Sequence, residues 1–332
     1  MSNTESRPDE VVCGAARAAG IEIISPREVP LGGPRAMNVR RTLPSKTRSL
    51  IGAWCFLDHY GPDRVADSGG MVVAAHPHTG LQTVSWLFTG EIVHRDSAGH
   101  HAMVRPGEVN LMTGGHGISH TEISTPQTAT LHGAQLWVAL PEAARDTAPA
   151  FEHYAPTPVT GPGWEARVFL GSLLGSTSPV ATFTRLLGAE ILLRAGEALP
   201  IPLEEDFEHG VLVDTGLISV DGIPVEKDTL AYLPPGSTGR TLVAAEDSRL
   251  LVLGGPPFGE QIVMWWNFVG RSHDEIVTYR DAWQAQITDD AGEVVDDGTR
   301  VAMGRFGRVD GEHLPPIPAP PLPTTVKLRP RG

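Results

Sequence analysis

Residues 76–82 read His76-Pro77-His78-Thr79-Gly80-Leu81-Gln82, and residues 117–122 read Gly117-Ile118-Ser119-His120-Thr121-Glu122. Side chains alternate faces along a β-strand, so residues two apart point the same way. His76 and His78 can therefore converge on one point, and so can His120 and Glu122. Two such pairs on neighbouring strands place three imidazoles and one carboxylate around a single cavity. Imidazole suits iron, copper, nickel and zinc, and a carboxylate oxygen completes the set. The expected site holds one divalent transition metal, with open positions left for a ligand. An isolated HxH is a weak signal. A second ligand-rich pair after the Gly-rich turn Gly114-Gly115-His116-Gly117 makes it a strong one.

Around these pairs the chain reads as short β-runs separated by turn residues. The first series is Ile21–Ile24, Ala36–Leu43, Trp54–Tyr60, Met71–His78, Val84–Phe88, Ile92–Arg95, Val109–Met112, the His120 strand and Leu131–Leu140. Pro141–Ala148 reads as a short helix or turn. The second series is Glu165–Leu170, Ala181–Leu187, Glu190–Leu193, Gly210–Val213, Leu217–Val220, Thr229–Leu233, Thr241–Ala244 and Leu250–Leu253. Strands every 8–12 residues with Gly or Pro between them indicate an all-β protein of antiparallel sandwiches or jelly rolls. Ser272-His273-Asp274-Glu275 is a helix cap, opening a helix to about Gln286. The expected organisation is a flexible polar tail (1–19), a metal-binding domain (20–148), a second domain without metal ligands (149–290) and a C-terminal extension (291–332). The run Pro315–Pro323 reads as polyproline II, compatible with a surface strap, a free tail or a peptide ligand.

At 332 residues the chain suits two domains of ordinary size. Its 41% hydrophobic and 20% charged content are those of a globular protein. The net charge of −13 argues against direct nucleic-acid binding and against attraction to anionic membranes. A basic stretch, Arg35, Arg40, Arg41, Lys46 and Arg48, reads as a solvated segment. Two cysteines, Cys13 and Cys55, are too few for a disulfide framework or zinc ribbon. No signal peptide or apolar span is apparent, so the expected setting is the cytoplasm and the expected state a monomer.

Nine of the thirteen histidines fall between His59 and His132. His59 and His94 read as buried and hydrogen-bonded, His100-His101 as an exposed loop tip, and His116 as a turn residue. His132 has no assigned role. Glu208-His209 reads as an exposed surface pair, and Trp54, Trp86 and Trp137 read as core.

The run HPHTGLQTVSWLFTGEIVHRDSAG, then RPGEVNLMTGGHGISHTE and LHGAQLWVALP, resembles the pirin family, as does Phe56-Leu57-Asp58-His59-Tyr60-Gly61-Pro62 upstream. Gly70, five residues, then His76-Pro77-His78 resembles the first cupin motif. The resemblance is strong over about 35–145 and weaker over 160–285, and it implies two tandem cupin jelly rolls with a short C-terminal helix. It also implies one Fe(II) in the first cupin, held by His76, His78, His120 and Glu122. These are the residues that strand spacing selects. Other divalent transition metals suit the same set. Gln82 stands where the family commonly has a carboxylate.

Some pirins are similar in activity to quercetin 2,3-dioxygenases, which open a flavonol ring with O₂ and release carbon monoxide. Others act as redox-sensitive partners of transcription factors or metabolic enzymes. Three neutral imidazoles and one carboxylate leave a divalent ion with net charge +1, which favours a deprotonated, chelating enol. Glu122 is the candidate catalytic residue, as general base for the enol hydroxyl. The partners expected are thus an aromatic or enol small molecule plus O₂ or, on the alternative reading, a regulatory protein.

Overall fold

In the computed structural model the described residues are 20–31, 37–289, 291–294, 304–311, 313–323 and 327–332. The expected tail at 1–19, with Cys13, and Arg35 lie outside them.

The first half runs through β1 (Glu22–Ile24), β2 (Arg27–Leu31), β3 (Met37–Leu43), β4 (Trp54–Arg64), α1 (Val65–Ser68), β5 (Val72–His78) and β6 (Leu81–Thr89). It continues with β7 (Ile92–Asp96), β8 (His101–Val104), β9 (Val109–Thr113), β10 (Ile118–Ser124), β11 (Thr130–Ala139) and β12 (Ala150–Tyr154). The second half has β13 (Val159–Gly161), β14 (Trp164–Leu170), β15 (Ser172–Leu173), β16 (Ser176–Thr177), β17 (Leu187–Leu193), β18 (Ala198–Pro202) and β19 (Glu208–Thr215). After these come β20 (Ile218–Val220), β21 (Ile223–Val225), β22 (Leu230–Leu233), β23 (Gly239–Ala244), β24 (Ser248–Gly255), β25 (Val263–Trp265), β26 (Phe268–Gly270) and α2 (His273–Ile287).

Each half is a two-sheet sandwich, and the two match strand for strand. The large sheets run β12-β9-β6-β11-β4-β3-β2 and β1-β22-β19-β24-β17-β14-β13, and the small ones β5-β10-β7-β8 and β18-β23-β20-β21. These are two tandem cupin jelly rolls followed by a helix, as expected.

The expected limits at 20–148 and 149–290 are crossed at both ends. β1 pairs with β22 of the second domain, and β12 pairs with β9 of the first. Each domain thus lends the other an edge strand, which satisfies backbone groups that an open edge would leave unpaired. The strand expected at Ala181–Leu187 is absent, and β17 runs unbroken through Gly188. A Cβ at Gly188 would lie 2.3 Å from the Phe169 ring, so glycine here makes room for packing inside a strand.

The domains meet through the outer faces of their large sheets. Trp54 and Trp86 from the first and Phe169, Leu212 and Leu251 from the second form one buried cluster, with the Trp86 and Phe169 rings stacked at 4.5 Å. Trp54, Trp86 and Trp137 are fully buried, as expected of core residues. The basic stretch is solvated only in part: Lys46 is exposed, but Arg41 is buried against Asp58, while Arg40 pairs with Asp228 and Arg48 with Glu22.

Ser272 caps α2 by accepting from the Glu275 N–H at 3.2 Å. The Pro-rich run is a strap. Trp283 Nε1 donates to the Ile317 carbonyl at 2.8 Å, and the Ile317 N–H donates to the Ala75 carbonyl at 2.8 Å. The strap therefore pins the strand that carries His76 and His78. Among the described residues, no helix is long and apolar enough to cross a membrane.

Candidate metal centre

β5 and β10 are neighbours, and His120 lies directly opposite His76. The register shifts between His120 and Glu122, so Glu122 pairs with Val73. On the other side of β10, β7 sets His94 opposite Glu122 and Asp96 opposite His120. His76, His78, His120 and Glu122 are at most 1% exposed.

The three histidines of the two motifs come together. Ring centroids are 4.3 Å apart for His76–His120, 5.0 Å for His78–His120 and 5.1 Å for His76–His78. Candidate ligand atoms of His76, His78 and His120 form one group, and those of His94, His120 and Glu122 form a second that shares His120. The carboxylate therefore sits on the His94 side of His120. Ser85 Oγ stands 3.5 Å from Glu122 Oε1 and donates to Gln135 Oε1 at 2.9 Å.

Hydrogen-bond partners assign the tautomers. His76 Nδ1 faces the Ala74 carbonyl at 2.8 Å, and His78 Nδ1 faces the Asn267 carbonyl at 3.2 Å. A carbonyl only accepts, so both Nδ1 atoms carry the proton. His94 Nε2 faces Asp96 Oδ2 at 3.3 Å, and a carboxylate likewise accepts. His94 Nδ1 is then the acceptor for His120 Nδ1–H at 3.3 Å. Burial pushes His76 down to about 4 and holds His78 and His120 well below the usual imidazole range, the latter two helped by neighbouring histidines. All three are neutral at pH 7.

It follows that His78 Nε2 and His120 Nε2, 3.1 Å apart, face each other as two lone pairs. That contact is repulsive without a cation and attractive with one. Cis ligands on an octahedral ion with metal–nitrogen bonds of about 2.1 Å are about 3.0 Å apart. The donor set fits a divalent ion.

Three contributors were not legible as such. His94 and Asp96 orient His120 through its far nitrogen, as outer partners of metal-binding histidines do. Their signal is a His and an Asp two apart on one strand. Asn267 lies between β25 and β26, 189 residues from His78, and nothing in the sequence links it to the site. Gln82 donates to Thr113 Oγ1 at 2.9 Å, and His116 is an exposed turn residue. His100 is not simply a solvated loop tip, because its Nδ1 lies 3.0 Å from Asp96 Oδ2.

A separate cluster joins the domains. His59 Nε2 and His132 Nε2 each lie 2.6 Å from Asp214 Oδ1, and Arg249 Nη1 lies 3.3 Å from Asp214 Oδ2. Arg40 approaches His59 Nδ1 at 3.4 Å. The Arg249 guanidinium and two imidazole N–H groups already satisfy this carboxylate, and the imidazoles hold it well below the usual range against the opposing effect of burial. His59 is buried and hydrogen-bonded as expected, and His132 belongs here rather than at the metal centre.

The first domain matches the Pirin family model over residues 36–138, and the second matches the Pirin C-terminal cupin model over 188–288. The chain belongs to the pirin family. Among its relatives, a Pseudomonas aeruginosa protein named "Putative quercetin 2,3-dioxygenase" is 41% identical over 98% of this chain and 99% of its own. A Caulobacter vibrioides pirin-like protein is 36% identical over 74% of this chain and 88% of its own. The crystal structure of quercetin 2,3-dioxygenase from Acinetobacter baumannii superposes with a TM-score of 0.82 at 36% identity, covering 93% of this chain and 98% of that one.

Proposed function

We propose that this pirin-family protein is a mononuclear Fe(II)-dependent dioxygenase that opens a flavonol or similar chelating enol with O₂. His76, His78, His120 and Glu122 are the proposed ligands. The observation that carries the reading is the pair of facing Nε2 lone pairs on His78 and His120. The second cupin offers no such set, because its inward residues on β18 and β23 include Leu199, Ile201 and Leu242. The names of the relatives support the substrate class.

Bound there, iron would acidify an enolic hydroxyl and supply the redox chemistry that O₂ requires. The chain's own residues do the rest. The Ala74 and Asn267 carbonyls and the His94–Asp96 pair keep three imidazoles aimed inward, and burial keeps the rings neutral. Glu122 takes the hydroxyl proton, with Ser85 and Gln135 beside it. Removing the surrounding water strengthens each of these electrostatic contacts.

The alternative is a non-enzymatic, iron-dependent redox-sensing regulator, and a thiol-based version of it draws no support from Cys55. That thiol is buried, donates to the Trp137 carbonyl at 3.6 Å and is pushed up to about 12 by burial, so it is inert. The test is oxygen uptake with carbon monoxide detection, using anaerobically Fe(II)-loaded protein, quercetin and His76→Ala as the blank. Turnover lost in the blank supports the dioxygenase. No uptake with one iron per chain overturns it in favour of the regulator.

A further inference from the structure

Glu208-His209 is not an exposed surface pair. His209 is 1% exposed and faces the interior with Val211 and Val213, while Glu208 turns the other way to accept from Tyr232 Oη at 2.9 Å. The matching ladders of the two domains show what His209 replaces. In the first domain, Phe56, Trp137 and Thr83 lie side by side across β4, β11 and β6. In the second, Leu187, Gly254 and His209 lie side by side across β17, β24 and β19. The Phe56–Trp137 stack, at 4.0 Å, fills the first barrel beside His78. A leucine and a glycine stand in its place in the second, where the His209 ring packs over Gly254 and, with Leu187, borders a cavity of about 340 Å³. Small-molecule sites begin at about this size.

The imidazole in that cavity has a defined role. A bond to the Phe207 backbone opposes burial, but burial wins and pushes His209 down to about 4, so the ring is neutral at pH 7. The backbone carbonyl takes the Nδ1 proton, which leaves Nε2 as an acceptor. Nε2 is buried and has no hydrogen-bond partner, and leaving such a group unsatisfied costs about 1–3 kcal/mol. The walls include Val180, Leu186, Phe207 and Ser178, with Leu203 half-buried at the rim. At the rim, Arg185 is ion-paired to both Glu204 and Asp206, an arrangement with one net negative charge that disfavours anions.

We propose that the second cupin binds a small uncharged ligand of the monocyclic phenol class, whose hydroxyl donates to His209 Nε2. The metal ligands of the first barrel are replaced here by apolar side chains, so the same fold position serves recognition rather than metal chemistry.

The test is saturation-transfer NMR on the metal-loaded full chain with phenol, toluene and benzoate. Phenol is expected to bind saturably and more tightly than toluene or benzoate. His209→Phe keeps a ring and removes the acceptor; it should weaken phenol about tenfold and leave toluene within about twofold, a tenfold change being one hydrogen bond. Leu203→Trp, at the half-buried rim, should abolish both while the thermal melt is retained. No saturable phenol binding, equal binding of benzoate, or no effect of His209→Phe would each overturn the proposal. Phenol binding that survives Leu203→Trp and disappears on metal removal would place the ligand at the metal centre and also overturn it.

Discussion

Asp214→Asn should loosen the seam between the two cupins without touching the metal centre. Asp214 Oδ1 accepts from His59 and His132 at 2.6 Å each, and Oδ2 faces Arg249 at 3.3 Å. Hydrogen bonds to a charged group contribute about 1.5–3 kcal/mol and neutral ones about 0.5–1.5. The amide oxygen still accepts, so the loss is about 1 kcal/mol for each imidazole. The amide NH₂ turned toward Arg249 costs about 1 kcal/mol more, limited because Arg249 keeps its 3.1 Å contact with Glu190. The total is about 3 kcal/mol, which in a chain of 332 residues lowers Tm by roughly 4 °C. Differential scanning calorimetry of metal-loaded protein measures it, with Arg185→Ala as the control. That exposed pair should cost no more than about 1 kcal/mol. A melt within about 1 °C of wild type would refute the clasp. Loss of bound metal in Asp214→Asn would refute its separation from the metal centre.

Asp96→Asn should weaken metal binding about 10–100-fold, because His94 would no longer fix the His120 tautomer; competition with a chelator reads this. Glu122→Gln, loaded with excess iron to one per chain as checked by elemental analysis, should lower kcat about 10²–10⁴-fold, and unchanged turnover at full loading would rule out the general-base role. His209 sits below its unfolded value, so its contribution is fully present above about pH 6.5 and is lost as pH falls toward 4. At about 1.4 kcal/mol per pH unit this totals about 3 kcal/mol. Urea titrations at pH 7 and pH 5 should differ less in His209→Phe than in wild type. Deleting residues 315–332 removes the contacts of Ile317 with Trp283 and Ala75, and should lower both Tm and metal retention.

Alternation and spacing made His76, His78, His120 and Glu122 legible, because a period of two is a local property of a strand. The same period, with Gly and Pro at the turns, marked two β series, and Ser272 with Glu275 marked the helix. Facing was harder. His209 and Glu208 were separable onto opposite faces, but which face was buried depended on Gly254 and Leu187, which lie 45 and 22 residues away along the chain. The exchange of β1 and β12 between domains was likewise hidden, since strand pairing carries no sequence-local signature at an edge.

The chain by itself determined the candidate ligand types, their pairing on strands and the all-β architecture, because composition and periodicity act over a few residues. Only the tertiary structure decided which nitrogens carry protons. The Asn267 carbonyl, His94 and Asp96 reach their partners through folding, and those contacts turn four donor side chains into a site that fits a cation. It also decided that Asp214 serves a seam between domains and that His209 faces a cavity. Both outcomes depend on which residues face one another across packed sheets.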